Sequence, residues 1–398
     1  MKKFILFLFF TFTIHAQQKI STILISFDGF RWDYLNRGLT PNFDNLISSG
    51  VKAKSLKMSF PTKTFPNHYT IVTGQYPENH GIIENNIFDK KTNKKFRIND
   101  TTEVTNPMWY KGEAIWETAR KQNKITASYF WPGSELKDTS RQPNYFEKYE
   151  HTRPYEKRID GVIDWLKLPI DKRPELITLY FDIVDSKGHE FGPNSPELDS
   201  SLVLADNLIG EIILKLKKEK LFATTNFVIV SDHGMTEISL SKVINLQKTL
   251  SGEKVFTQWY GPNLMIESEN PEKLIQKLKS ELKNCNVYLK SEIPKRFNFS
   301  KNENISSILI MADLGYSLTS RNLTSRDSTN FGKGNHGYDN DEMEMHGIFI
   351  ASGPSFKKNL KIETFENIEI YPFLCKILKI NPSKNIDGKI NSLNFIFN

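Results

Sequence analysis

Cysteine is nearly absent. Cys285 and Cys375 are the two in 398 residues, so no disulfide framework organises the fold, and neither stands in a spacing that suits a metal or a nucleophilic thiol. Long hydrophobic runs are scarce too. The run from Phe4 to Ile14, after Met1, Lys2 and Lys3, is about eleven residues, well short of the roughly 20 that span a bilayer. With His15 and Ala16 before Gln17 it reads as an export signal over residues 1–16 rather than an anchor. No later stretch is apolar enough to span a membrane, and no cysteine near the cut supports lipid attachment. Internal repeats, coiled-coil heptads and low-complexity linkers are also missing. Charge of one sign does not dominate: the formal net charge of +7 includes Lys2 and Lys3, and the remaining excess is scattered lysine. Such scatter is a solvated surface, with no basic block to point to nucleic acid.

What is present is an ordinary globular composition, 38% hydrophobic and 25% charged, enough for a sizeable buried core within residues 17–398. Its lysine and asparagine richness, with the export signal, suggests a bacterial periplasmic or secreted protein. The organising pattern is a β-branched strand that ends in acids. Ile20 to Phe27 runs into Asp28 and Gly29, Leu176 to Phe181 into Asp182 and Asp185, and Asn226 to Val230 into Ser231, Asp232, His233 and Gly234. Helix-like segments such as Thr64 to Thr73 and Ser201 to Lys217 lie between them, which predicts an α/β fold with a doubly wound sheet and helices on both faces. Ligands in such sheets sit beyond the carboxyl ends of the strands. From about 260 to 330 the character changes to a lysine, asparagine and serine-rich stretch with an amphipathic helix over Pro271 to Leu282, read as a small insertion or cap. Gly347 to Ala351 then forms a further strand.

Each chemical cluster has a bland reading when taken alone. Asp28-Gly29 is most often a turn. Thr64, followed by Phe65, Pro66, Asn67 and His68, reads as a helix cap with proline in the first turn. Asp185 and His189, four apart after a buried strand, can converge on one cation, but a lone pair of this kind is more often structural. Asp232-His233 is a common surface pair, joined much later by His336. Together, however, three acids, three histidines and one hydroxyl all follow strand ends or helix starts on one rim of one sheet. Imidazole and carboxylate donors without thiolates suit zinc, a ligand type shared with manganese and iron. Two divalent cations would balance three carboxylates and an ionised Thr64.

These clusters, in this order, resemble the ectonucleotide pyrophosphatase/phosphodiesterase family of the alkaline phosphatase superfamily, in a bacterial single-domain form. The resemblance runs from about Ile23 to Pro354 and is carried by Asp28-Gly29-Phe30-Arg31, Pro61 to His68, Gly74 to Pro77 with His80-Gly81-Ile82, Phe130 to Gly133, Asp185 to Pro193, Ser231 to Met235 and Asn335 to Asn340. It implies one metal on Asp185, His189 and His336, and a second on Asp28, Thr64, Asp232 and His233. It makes Thr64 the nucleophile of a covalent phospho-threonine mechanism, with the Asn85 amide donating to a phosphate oxygen. It places Phe65, Trp131 and Tyr180 beside a nucleoside base or another substrate group. The implied activity is two-metal hydrolysis of nucleotide phosphodiester or pyrophosphate bonds, with a phospholipase-C-like or lysophospholipid diesterase as the alternative. A phosphomonoesterase fits less well, because Thr64-Phe65-Pro66-Asn67 departs from the serine-based phosphatase motif. A sulfatase lacks its cysteine or serine context here, and a non-enzymatic scaffold would have lost a ligand.

Overall fold

The computed structural model describes residues 19–323 and 331–398; the expected export signal lies outside them. Ser21–Phe27 (β1) is buried along its whole length, as its unbroken apolar run requires. Alternate side chains feed opposite faces. Leu24 joins one core while Ile23, Ile25 and Phe27 join another. The other strands of this sheet are Gly50–Ala53 (β2), Thr126–Tyr129 (β3), Tyr145–Glu147 (β4), Leu176–Phe181 (β5), Thr225–Val230 (β6), Phe349–Ser352 (β7) and Leu360–Ile362 (β8). Their order is β8-β2-β7-β6-β1-β5-β3-β4.

Strand β1 pairs in parallel with β5 and β6. The register sets Phe27 opposite Phe181 and Ser26 opposite Val230, so the acids that follow all emerge at one edge. The sheet is mixed rather than wholly parallel, because β7 runs antiparallel to both β6 and β2. The chain reaches β7 from the loop that carries His336. It therefore enters the sheet from the end where the parallel strands finish, and can only run backwards.

On one face pack Pro41–Ser48 (α1), Tyr155–Lys167 (α4) and Pro196–Lys218 (α6), through Phe43, Ile159, Val162, Leu202 and Ile209. On the other lie Thr64–Thr73 (α2), Ile115–Lys121 (α3) and Ile370–Leu378 (α8), through Ile71, Val72, Trp116 and Phe373. Helix α6 starts before the predicted Ser201. Ser195 caps it, accepting from the Leu198 amide at 3.1 Å, and Pro196 opens its first turn.

A separate antiparallel sheet holds Val255–Gln258, Asn263–Ser268, Ile308–Ala312 and Cys285–Leu289 in that spatial order, with the helix Pro271–Glu281 (α7) packed against it. Its core is Leu264, Ile266, Leu274, Leu278 and Ile310. Both cysteines are free, Cys285 in this second sheet and Cys375 in α8. No helix among the described residues is long and apolar enough to cross a membrane.

Beside α2 the fold buries a neutral histidine. His80 is fully buried; its Nδ1 accepts from the Ile82 amide at 3.2 Å and its Nε2–H donates to the Thr70 hydroxyl at 3.0 Å. Burial lowers its pKa from 6.5 to about 3. The unfolded chain therefore takes up this proton first as pH falls, so the stability His80 supplies is present above about pH 6.5 and shrinks below it. Going from pH 7 to 5 is expected to cost about 2 kcal/mol through this residue. Urea titrations should show a correspondingly smaller pH dependence in His80→Gln; equal dependence in the two proteins would reject the assignment.

Candidate active site

Five elements deliver the side chains. Asp28 directly follows β1, Asp232 and His233 follow β6, and α5 (Ile183–Phe191), which follows β5, carries Asp185 in its first turn and His189 one turn later. Thr64 is the first residue of α2. His336 follows the two-residue strand Gly334–Asn335. The turn after β1 needs glycine: Gly29 has a φ of +68°, and a Cβ there would lie 2.9 Å from the Asp185 backbone. Its amide donates to Asp232 Oδ1 at 3.2 Å, tying two of the strand ends together.

The predicted ligands converge. His189 Nε2 is 3.4 Å from Asp185 Oδ1, and His336 Nε2 is 3.8 Å from the same oxygen. His233 Nε2 lies 3.1 Å from both Asp28 Oδ1 and Asp232 Oδ2, and 4.0 Å from Asp185 Oδ1. The Thr64 hydroxyl is 3.3 Å from His233 Nε2. Donor atoms of Asp185, His189 and His336 form one group within 4.8 Å, and those of Asp28, Asp185 and His233 form another. Asp185 thus belongs to both groups, although the sequence reading assigned it to one.

Two observations show that this donor set fits cations. Asp28 Oδ1, Asp185 Oδ1 and Asp232 Oδ2 are buried and have no hydrogen-bond partner, a costly state for three carboxylates unless a cation meets them. His189 and His336 also present Nε2 as a free lone pair, because each Nδ1–H donates to a carbonyl, of Gly334 at 2.9 Å and of Thr62 at 2.8 Å, and His233 is held the same way by the Gly234 carbonyl at 2.8 Å with its Nε2 facing Asp28 and Asp232. Carbonyl-held imidazoles are the usual outer shell of a metal site.

The electrostatics agree. Burial raises the pKa of Asp28, but the close approach of His233 and the charges of His233 and His68 outweigh it and carry the group down to about 2. Burial, and then the neighbouring Asp28, push Asp185 well above and Asp232 above its ordinary value. Like charges crowded in one dry site resist joint ionisation, and a divalent cation removes that conflict. Burial lowers His189 to about 4 and His336 well below its ordinary value, keeping both rings neutral as ligands must be. On His233 burial acts downward, yet Asp232 and Asp28 raise the ring strongly, so it holds the proton that a bound cation would displace.

Asn85 is oriented for donation. Its Oδ1 accepts from the Phe65 amide at 2.9 Å, leaving Nδ2 with no partner among the described residues. The three predicted aromatics divide. Phe65 is partly exposed, edge-on to Phe96 at 5.7 Å. Tyr180 donates its hydroxyl to Asp28 Oδ2 at 2.6 Å, so it orients a carboxylate. Trp131 does not offer a stacking face: it is 2% exposed, its ring lies edge-on to His68, and its Nε1–H donates to the His68 carbonyl at 3.0 Å. An indole N–H this deeply buried must find an acceptor, and this one turns the ring inward.

Three neighbours were missed. His68 is fully buried between Ser26 Oγ at 2.8 Å and the Thr64 carbonyl at 2.9 Å, 3.4 Å from Asp232 Oδ2; its spacing of four from Thr64 on one helix was the available signal. The Lys63 ammonium has no hydrogen bond or ion pair among the described residues and stands in the field of Glu84 and Asp185. Tyr149, 49% exposed, feels the charges of Asp182 and Asp28, and nothing in its local sequence distinguishes it from any surface tyrosine.

A sequence profile described as type I phosphodiesterase / nucleotide pyrophosphatase matches residues 22–339. Venom phosphodiesterase CdcPDE from Crotalus durissus collilineatus is 39% identical over 389 residues, which cover 94% of this chain and 46% of that protein. Human ectonucleotide pyrophosphatase/phosphodiesterase family member 1 is 38% identical over 388 residues, 94% of this chain and 41% of its own. The chain therefore spans less than half the length of these curated relatives. They are animal proteins, so the bacterial origin read from composition finds no support among them. The structure of murine ectonucleotide pyrophosphatase/phosphodiesterase 5 superposes with a TM-score of 0.89 at 34% identity, over 96% of this chain and 100% of that one. An inactive threonine-to-alanine form of the same murine protein, in complex with AMP, matches with a TM-score of 0.89 at 33% identity, over 95% and 100%.

Proposed function

This chain belongs to the type I phosphodiesterase / nucleotide pyrophosphatase family, and on that footing we propose that it hydrolyses phosphodiester or pyrophosphate bonds of nucleotides through a covalent phospho-threonine intermediate on Thr64. The observation that carries the proposal is the three partnerless buried carboxylate oxygens facing three imidazole Nε2 atoms, with a threonine hydroxyl 3.3 Å from the Nε2 of His233.

Two divalent cations, zinc by ligand type, would be held by Asp185, His189 and His336 on one side and by Asp28, Asp232, His233 and Thr64 on the other, with Asp185 within reach of both. Such cations supply Lewis acidity, which lowers the pKa of a hydroxyl and offsets charge on phosphorus oxygens. The protein's own groups do the rest. Thr64 stands at the start of α2, where the helix field favours an alkoxide. Its oxygen gives up its proton and attacks phosphorus, the bond to the leaving oxygen breaks and that oxygen takes up a proton, and the nucleotidyl group stays esterified to Thr64 until water releases it. The Asn85 amide, held by the Phe65 backbone, donates to a phosphoryl oxygen during both steps. Tyr180 keeps Asp28 turned towards the site.

Phe65 and Tyr149 are the aromatic surfaces available to a nucleoside base, and the AMP complex of the murine relative is consistent with that use. An extracytoplasmic place of work is part of the proposal and rests on residues 1–16. Zinc-loaded protein should cleave p-nitrophenyl thymidine monophosphate faster than p-nitrophenyl phosphorylcholine and p-nitrophenyl phosphate. Preference for phosphorylcholine would transfer the assignment to lipid head groups, and preference for the monoester would overturn the diesterase reading.

A further inference from the structure

A short strip of the second sheet runs beside the site. Trp259 to Asn263 link its first two strands, and this strip reaches two different parts of the site at once. At one end, Trp259 Nε1–H donates to the Asn86 carbonyl at 2.7 Å, the residue immediately after Asn85. At the other, Asn263 Nδ2 donates to the Gly337 carbonyl at 2.6 Å, the residue immediately after His336. The Pro262 ring fits against Gly337 so closely that a Cβ there would lie 2.8 Å from it, and a Cβ on Gly261 would lie 3.0 Å from Asn335 Nδ2.

The strip is itself held in place. Gly261 and Leu318 exchange backbone hydrogen bonds, and the Ala312 amide donates to the Pro262 carbonyl at 2.8 Å. Trp259 adopts a φ of +65° although it is bulky and only 7% exposed. A large side chain enters the left-handed region only where its surroundings hold it there. The tethers on Gly261 and Pro262 and the indole bond to Asn86 supply that constraint.

We propose that Trp259–Asn263 is a positioning element through which the second sheet sets both the Asn85 amide and the His336 imidazole, with Trp259 the positioning residue for Asn85. This rests on the reading of Asn85 as a phosphate donor. The Asn85 side chain is fixed to α2 by the Phe65 amide, but its backbone opens the hairpin of Asn86–Asp89 and Lys94–Arg97. That hairpin is also held through Phe96 on Phe65 and Phe88 on Phe256, and the indole bond at Asn86 O is the tie next to Asn85. Small displacements of a transition-state donor are expensive in rate and cheap in ground-state binding.

Trp259→Phe removes the N–H and keeps a buried ring. Measured on p-nitrophenyl thymidine monophosphate with zinc, it is expected to lower kcat about tenfold with KM and metal content unchanged, and Trp259→His, which keeps a ring N–H, is expected to recover part of the loss. In an Asn85→Ala background the same change should cost less than about twofold, because the group it positions is gone. If Asn85→Ala by itself leaves kcat intact, the reading of Asn85 fails; if that variant is impaired and Trp259→Phe still multiplies in full, the positioning inference is overturned. Asn263→Ala tests the other end independently: it should release zinc faster than wild type on dialysis against chelator, and wild-type retention would refute the link to His336.

Discussion

Thr64→Ala is expected to lose roughly 10⁴-fold or more of the turnover number while keeping its fold and both metal ions. The hydroxyl is one member of a set in which Asp28, Asp232 and His233 remain, all close to one another and rigidly held. Its removal takes away no buried hydrogen bond beyond the 3.3 Å approach to His233. Helix α2 survives as well, because its N-cap is Lys63 and the Lys63 carbonyl still receives the Asn67 amide at 3.1 Å. Single-turnover analysis should find no covalent adduct in the variant and a nucleotidyl-threonine in the wild type. Near-wild-type turnover in Thr64→Ala would eliminate Thr64 as nucleophile and leave a direct attack by water.

Asp185→Ala should be the second most damaging change, and its signature differs. Its Oδ1 lies between His189 and His336 on one side and His233 on the other, so its loss removes negative charge from both donor groups. Elemental analysis is expected to show loss of the ion held with His189 and His336 and a weakened second ion, with activity down by about 10³-fold. His336→Ala, by contrast, should lower the occupancy of one ion and spare the other. If Asp185→Ala and His336→Ala give the same metal content, the shared role of Asp185 is wrong and the simpler division of ligands between two ions stands.

The two variants also separate chemistry from assembly. A protein that keeps its metals but has no nucleophile, and one that keeps its nucleophile but loses metals, should both be inactive. Only the first should bind a nucleotide monophosphate tightly, because the cations rather than Thr64 supply most of the attraction for the phosphate.

Much of this was legible in the residues themselves. Strands that end in acids state their own direction: a β-branched run such as Ile23 to Phe27 can only be a buried strand, and Asp28 directly after it can only lie at its carboxyl end. Three such runs in one sheet place their acids on a common edge before any coordinates exist. Helix α2 was also visible, bounded by Thr64 and Thr73 with Gly74 after it, because proline early and glycine late are local signals. The i, i+4 spacing of Asp185 and His189 needs only the pitch of a helix.

What the tertiary structure decided is everything that depends on which side chain faces which across long stretches of chain. The antiparallel course of β7 follows from where the His336 loop releases the chain. Trp131 carries the same local signature whether its ring stacks on a ligand or turns inward, and the His68 carbonyl settled it. Asp185 reads in sequence as a partner of His189; only packing brings His233 within 4.0 Å of the same oxygen. The joining of Trp259 to Asn86 spans 173 positions, with no local pattern to announce it. Sequence patterns record the period and the ends of single elements, because those depend on neighbouring residues, whereas the sharing of one oxygen or one carbonyl between distant elements depends on close packing, which no stretch of chain encodes alone.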